Sequence, residues 1–199
     1  MADRTYHVLF LSQRNSARSI MAEAILNSVG KGRFVAYSAG VRPASSVDPI
    51  TLELLEHANL PTQGLQPQHT QQFASPSAPP LDFVFTLSDT AAGEAPPQWP
   101  GQPITAHWRS EDPAQIEDAT ERRLALIRVR SELERRLRVF INLPFTALDR
   151  MSAQQHVEEI GQAASGEIDR AASRVAPDDD LRGSGAAARF TPSSLIRLG

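Results

Sequence analysis

A short apolar run, Tyr6–Leu11, breaks into the polar stretch Ser12–Arg18 and then into helix-periodic sequence with Ile20, Ala24 and Ile25 near one face. The run is long enough for a buried strand and too short for a helix, so the chain opens as strand, polar loop, helix. The pattern then repeats. Arg33–Ser38 reads as a second strand closed by Ala39-Gly40, and Asp48-Pro49 reads as an N-cap followed by proline at the first helical position. That helix runs towards Asn59 with Ile50, Leu54 and Leu55 buried. Residues 61–80 are rich in Gln, Pro and Ser and read as loop with one short helix or strand. Leu81–Leu87 reads as a third strand, Thr90–Gly101 as loop and Ile104–Trp108 as a fourth strand. From Ala119 to Asn142, Leu126, Val129, Leu133, Leu137 and Phe140 recur at steps of three and four, the signature of a long amphipathic helix.

Strands alternating with helices predict an α/β three-layer sandwich: a central four-stranded parallel sheet with helices on both faces. The domain is expected to span residues 1–148. An extension over 149–199 is expected to be partly helical (Met151–Arg174, with little to bury) and then mobile. The basic helix residues Arg122, Arg123, Arg128, Arg130, Arg135, Arg136 and Arg138 offer a docking surface for the acidic run Asp178-Asp179-Asp180. A formal net charge of -3 gives no footprint for nucleic acid. No stretch approaches the length of a membrane span. The N-terminal residues run straight into the first strand without a signal peptide, so the expected location is the cytoplasm, with no cofactor and no metal.

The loop between the first strand and first helix carries the chemistry. In an open α/β sheet, ligands gather at the carboxyl ends of strands where the chain order reverses. A loop that enters a helix there offers converging N–H groups, and the helix dipole adds partial positive charge. Arg18 supplies a planar fork for two oxygens of a tetrahedral anion. Phosphate, arsenate and sulfate fit; on spacing alone, a polar turn with a surface arginine fits as well. The oxyanion-binding candidates are Ser12, Gln13, Arg14, Asn15, Ser16, Ala17, Arg18 and Ser19. Asn15 tolerates a left-handed backbone and can bond across the loop.

The segment Val8–Ala24 closely resembles the phosphate loop of low-molecular-weight protein tyrosine phosphatases and their arsenate reductase relatives, where the loop is Cys, five residues, Arg, Ser. Further motifs follow in the same order: Ser38-Ala39-Gly40, Phe83-Val84-Phe85-Thr86, Ser88-Asp89, Ala91-Ala92-Gly93-Glu94, Trp99-Pro100-Gly101, His107-Trp108 and Asp112-Pro113. The resemblance covers roughly residues 5–148 and is closest to the arsenate reductase branch. It implies that Ser12 stands at the nucleophile position, that Asp112 stands at the general-acid position and that Ser19 hydrogen-bonds residue 12. The Asp-Pro pair equally makes a good turn.

The departures matter as much. The chain has no cysteine at all. Ser12 replaces the nucleophile, Arg14 replaces a glycine, and Ser88 and Pro96 align with the further cysteines of thioredoxin-coupled members. Changes at Arg14 and Pro96 mark natural divergence rather than one laboratory exchange. A hydroxyl stays protonated in a field that ionises a thiol. Ser12 then needs a base, yet His7 reads as sheet packing or surface and His107 as structural beside Trp108. The sequence therefore points to an oxyanion-binding homologue without the family catalysis. Its partners are expected to be phosphate, arsenate or sulfate, or a phosphorylated protein. The alternatives are an active reductase or phosphatase using Ser12 or a small external thiol such as glutathione, and an interaction protein acting through its extension. Arg14 is open to three placements: at the mouth, folded inward as a plug, or on the surface.

Overall fold

The computed structural model describes residues 4–94 and 99–163. Its elements are β1 (Tyr6–Ser12), α1 (Arg18–Val29), β2 (Phe34–Gly40), α2 (Pro49–His57), β3 (Phe83–Thr86), the short α3 (Asp89–Gly93), β4 (Ile104–His107), α4 (Ala119–Ile141) and α5 (Arg150–Gln162). Single 3-10 turns lie at Thr70–Phe73 and Pro113–Gln115. The four strands are parallel in the order β2-β1-β3-β4. The order reverses between β1 and β3, so their carboxyl ends form the crevice where this architecture binds ligands.

Period-2 alternation in β1 sends Val8 and Phe10 into one core and Leu9 and Leu11 into another, all of them buried. The larger core packs the sheet against α1, α2, α4 and α5, with Phe83, Phe85, Trp108 and Phe140 at its centre. Phe85 and Trp108 stack with ring centroids 4.1 Å apart. The second face is covered by shorter pieces that bring in Phe73, Leu81 and Ala91.

Two expectations are corrected. The stretch expected as loop from Thr90 contains α3, nucleated because the Ser88 hydroxyl accepts from the Ala91 amide. The helix expected to have little to bury buries Ala153, Val157, Ile160 and Gly161. Its small residues permit this: a Cβ on Gly161 would stand 2.5 Å from Trp108 Cδ1 and 2.6 Å from the His107 carbonyl oxygen, so α5 lies flush on the end of β4.

The arginines of α4 are already occupied. Arg122 pairs with Asp48, Arg123 with Glu53, Arg128 with Glu111, Arg136 with Glu132, and Arg130 and Arg138 with Glu134. The acidic run Asp178–Asp180 lies outside the described residues. Among the described residues, no helix is long and apolar enough to cross a membrane.

Candidate functional site

The loop after β1 is shaped by where its carbonyls go. The carbonyl oxygens of Ser12, Gln13, Arg14 and Ser16 accept from the amides of Val41, Arg42, Ala44 and Asp48 at 2.8–3.3 Å, tying the loop's outer rim to the segment after β2. In a trans peptide the following N–H points the opposite way, so amides 13, 14, 15 and 17 turn inward. The Asn15 amide does so visibly, donating to Ser12 Oγ at 3.1 Å. The amides of Arg14, Ser16, Ala17, Arg18 and Ser19 have no protein acceptor among the described residues. Helices α2, α3, α4 and α5 each carry a side-chain N-cap from Asp48, Ser88, Asp118 and Asp149; α1, entered through Ala17, has none. Its first-turn donors are thus left for something else.

Asn15 locks this shape. It adopts φ +47, and its side-chain amide donates to Ser19 Oγ (2.9 Å) and Ser38 Oγ (2.7 Å) while its carbonyl oxygen accepts from the Gln68 amide at 2.7 Å. Gly40 is required beside it: a Cβ there would lie 3.0 Å from both Asn15 Cβ and the Gln13 carbonyl oxygen. Ser12 sits buried at the base, 2.8 Å from Ser19 Oγ. Arg18 is 6% exposed. Its Nη1 donates to the carbonyls of Leu87 (3.3 Å) and Ser110 (3.1 Å), and its Nη2 meets the Asp112 carboxylate at 2.9 Å. Burial pulls the guanidinium below its ordinary pKa and Asp112 works against that pull.

The family model for low molecular weight phosphotyrosine protein phosphatase matches residues 7–155. The chain belongs to this family.

A glutaredoxin arsenate reductase of Synechocystis sp. is 31% identical over 106 residues, covering 53% of this chain and 77% of the relative. An arsenate reductase of Halalkalibacterium halodurans is 29% identical over 134 residues, 67% of this chain and 93% of the relative. The solved structure of an arsenate reductase in the phosphate binding state matches with a TM-score of 0.55 at 27% identity, over 69% of this chain and 97% of that one. The family resemblance read from the motifs and the four-stranded fold therefore both stand.

Within this phosphatase-family site, the structure brings Ser12, Asn15, Arg18, Ser19 and Asp112 together. Ser12 Oγ bonds only to Ser19 and the Asn15 amide among the described residues, and no histidine reaches it. His7 instead bonds the Tyr37 hydroxyl at 3.1 Å and stacks on its ring. His107 bonds Thr86 and Asp89. Arg14 is exposed, which removes the inward plug.

Four participants escaped the sequence reading. The carbonyls of Leu87 and Ser110 are backbone groups with no sequence signal. Gly40 was quoted as part of a motif without its role. Glu23 had a signal: a lone acid among Met21, Ala22, Ala24 and Ile25. Its carboxylate accepts from Ser38 Oγ, which in turn accepts from Asn15, so a partly buried acid backs the loop through two hydrogen bonds. Burial pushes Glu23 up to about 7, against an ordinary value near 4.5, although the Ser38 bond favours the charged form.

The sign of the linkage follows. Between those two values the folded protein keeps a proton that the unfolded chain releases, so stability falls as pH rises from about 4.5 to 7. Denaturant unfolding at pH 5 and pH 8 is expected to show a loss on the order of 1–2 kcal/mol from this group, discounted for its partial exposure. Glu23→Gln keeps an acceptor for Ser38 and is expected to flatten that decline. An unchanged pH slope in the glutamine variant would remove Glu23 as its source.

Proposed function

We propose that this chain is an oxyanion-binding member of the phosphatase family, holding phosphate or arsenate on Ser12–Ser19 without the family's thiol chemistry. The observation that carries the reading is the uncapped start of α1. The amides of Arg14, Ser16, Ala17, Arg18 and Ser19 have no protein acceptor among the described residues, and a neutral hydroxyl, Ser12 Oγ, lies at the base of the same loop. Such a nest stabilises a multiply charged anion through dipoles and charge-assisted hydrogen bonds. A relative solved in a phosphate-binding state supports the ligand class. Among the described residues the serine hydroxyl has only hydrogen-bonding neighbours and no base to ionise it, so attack on the bound anion lacks a nucleophile. A phosphorylated protein presents the same tetrahedral group and fits the same loop.

Titration calorimetry of the full chain with inorganic phosphate and with arsenate tests this directly. Saturable binding of both is expected, weakened by salt, together with no hydrolysis of p-nitrophenyl phosphate above background. Absence of heat with either anion overturns the binding; hydrolysis by the protein as it stands overturns the loss of catalysis.

A further inference from the structure

Among the described residues, Arg136 is the buried cation that the anion chemistry leaves unused. It lies on α4, 5% exposed, and its Nη1 donates to the carbonyls of Trp108 (3.3 Å) and Arg109 (3.0 Å) while Nη2 donates to the Gly161 carbonyl (3.1 Å). Glu132, one turn earlier, lies 2.7 Å from Nη1. Nε is buried without a partner. For filling space, a methionine would serve without the desolvation cost of a guanidinium. What methionine lacks is a planar fork able to bridge two diverging chain segments.

The segment so gripped is the one that holds Arg18. Trp108 and Arg109 lead directly into Ser110 and Asp112, whose carbonyl and carboxylate oxygens receive the Arg18 guanidinium. Residues 108–112 therefore lie clasped between two buried arginines, Arg136 on the first two carbonyls and Arg18 on the third carbonyl and the final carboxylate. The far anchor is α5, through Gly161 and through the Trp108 indole, whose Nε1 donates to the Val157 carbonyl at 2.8 Å.

We propose that Arg136 is a positioning residue for the anion loop: it pins residues 108–109 against α5 and thereby sets the oxygens of Ser110 and Asp112 that aim the Arg18 fork. The proposal rests on the oxyanion reading of Ser12–Ser19 and extends the functional unit to α4 and α5, far from the loop in sequence.

The test compares the full chain with Arg136→Met, Arg136→Lys and Phe34→Leu. Phe34 is a core residue at the opposite end of the sheet, so its variant controls for general loss of stability. Two readouts are taken well below each melting midpoint: affinity for inorganic phosphate, and amide hydrogen exchange across residues 108–116. Arg136→Met is expected to weaken phosphate binding by at least about tenfold, as misplacement of a binding group does, and to speed exchange in that segment alone. Lysine keeps the charge without the fork and is expected to recover part of both; if the methionine variant fails to fold, lysine carries the comparison. Phe34→Leu is expected to leave both readouts near wild type. Wild-type affinity and exchange in the Arg136 variants, or an equal loss in Phe34→Leu, overturns the positioning role. If the wild-type chain does not bind phosphate, the oxyanion reading falls, and the exchange arm alone still decides whether Arg136 holds the segment.

Discussion

Ser12→Cys is expected to turn the chain into a working phosphomonoesterase towards p-nitrophenyl phosphate. Sulfur placed at Ser12 Oγ inherits two donors, the Asn15 amide and the Ser19 hydroxyl, found at 3.1 and 2.8 Å from that atom. It also inherits the unneutralised start of α1 and the Arg18 guanidinium. Such surroundings lower a thiol pKa to about 3.5–7.5, which makes a thiolate at neutral pH where the hydroxyl is neutral. The ionised fraction is measurable by ultraviolet absorbance before any substrate is added. Asp112 stands beside the guanidinium, where the family resemblance places the group that protonates the leaving oxygen. Adding Asp112→Asn to the cysteine variant is therefore expected to cut turnover by roughly 10²-fold or more. Arsenate reduction with thiol recycling is not expected to return, because Ser88 and Pro96 occupy the positions the resemblance assigns to the further cysteines; Pro96 lies outside the described residues. A cysteine variant that is fully thiolate yet inert would shift the loss of catalysis from residue 12 to the exposed cation at Arg14 or to the geometry of Asp112.

Arg18→Met is expected to abolish phosphate and arsenate binding and to cost stability at the same time. The guanidinium offers charge-assisted hydrogen bonds to the anion worth about 1.5–3 kcal/mol each. Losing two of them weakens affinity by about 10²-fold or more. Without the cation, the carbonyls of Leu87 and Ser110 and the Asp112 carboxylate each lose a donor, although Leu87 keeps the Ser110 amide and Asp112 the Ala114 amide. Breaking a fully buried pair costs about 3–5 kcal/mol; Asp112 keeps 28% side-chain exposure, so about 2–3 kcal/mol is expected. The double variant with Asp112→Asn is expected to regain part of the stability and none of the binding. Calorimetry and denaturant unfolding read the two effects separately. Phosphate affinity within threefold of wild type in Arg18→Met would falsify the role given to the fork.

The two expectations draw on different kinds of information. That a strand, a polar loop and a helix open the chain, that Asp48 and Pro49 start α2, and that Leu126 to Phe140 line one face of α4 was legible because each depends on residues only a few places apart. Periodicity, capping and proline are local properties, and they survive into the fold almost unchanged. The missing thiolate is equally a matter of sequence: no arrangement of this chain can supply a sulfur nucleophile of its own.

What only the tertiary structure decided is where the oxygens around Arg18 come from and what stands behind the loop. Its two backbone partners lie 69 and 92 residues away along the chain, and they are carbonyls that every residue type possesses; the third partner is the Asp112 carboxylate. Likewise α5, poor in large apolar residues, is drawn into the core because Gly161 lets it meet Trp108 at contact distance. Local chemistry sets which segments form; hydrogen-bond satisfaction and close packing between distant segments determine which groups are brought to the Ser12–Ser19 loop.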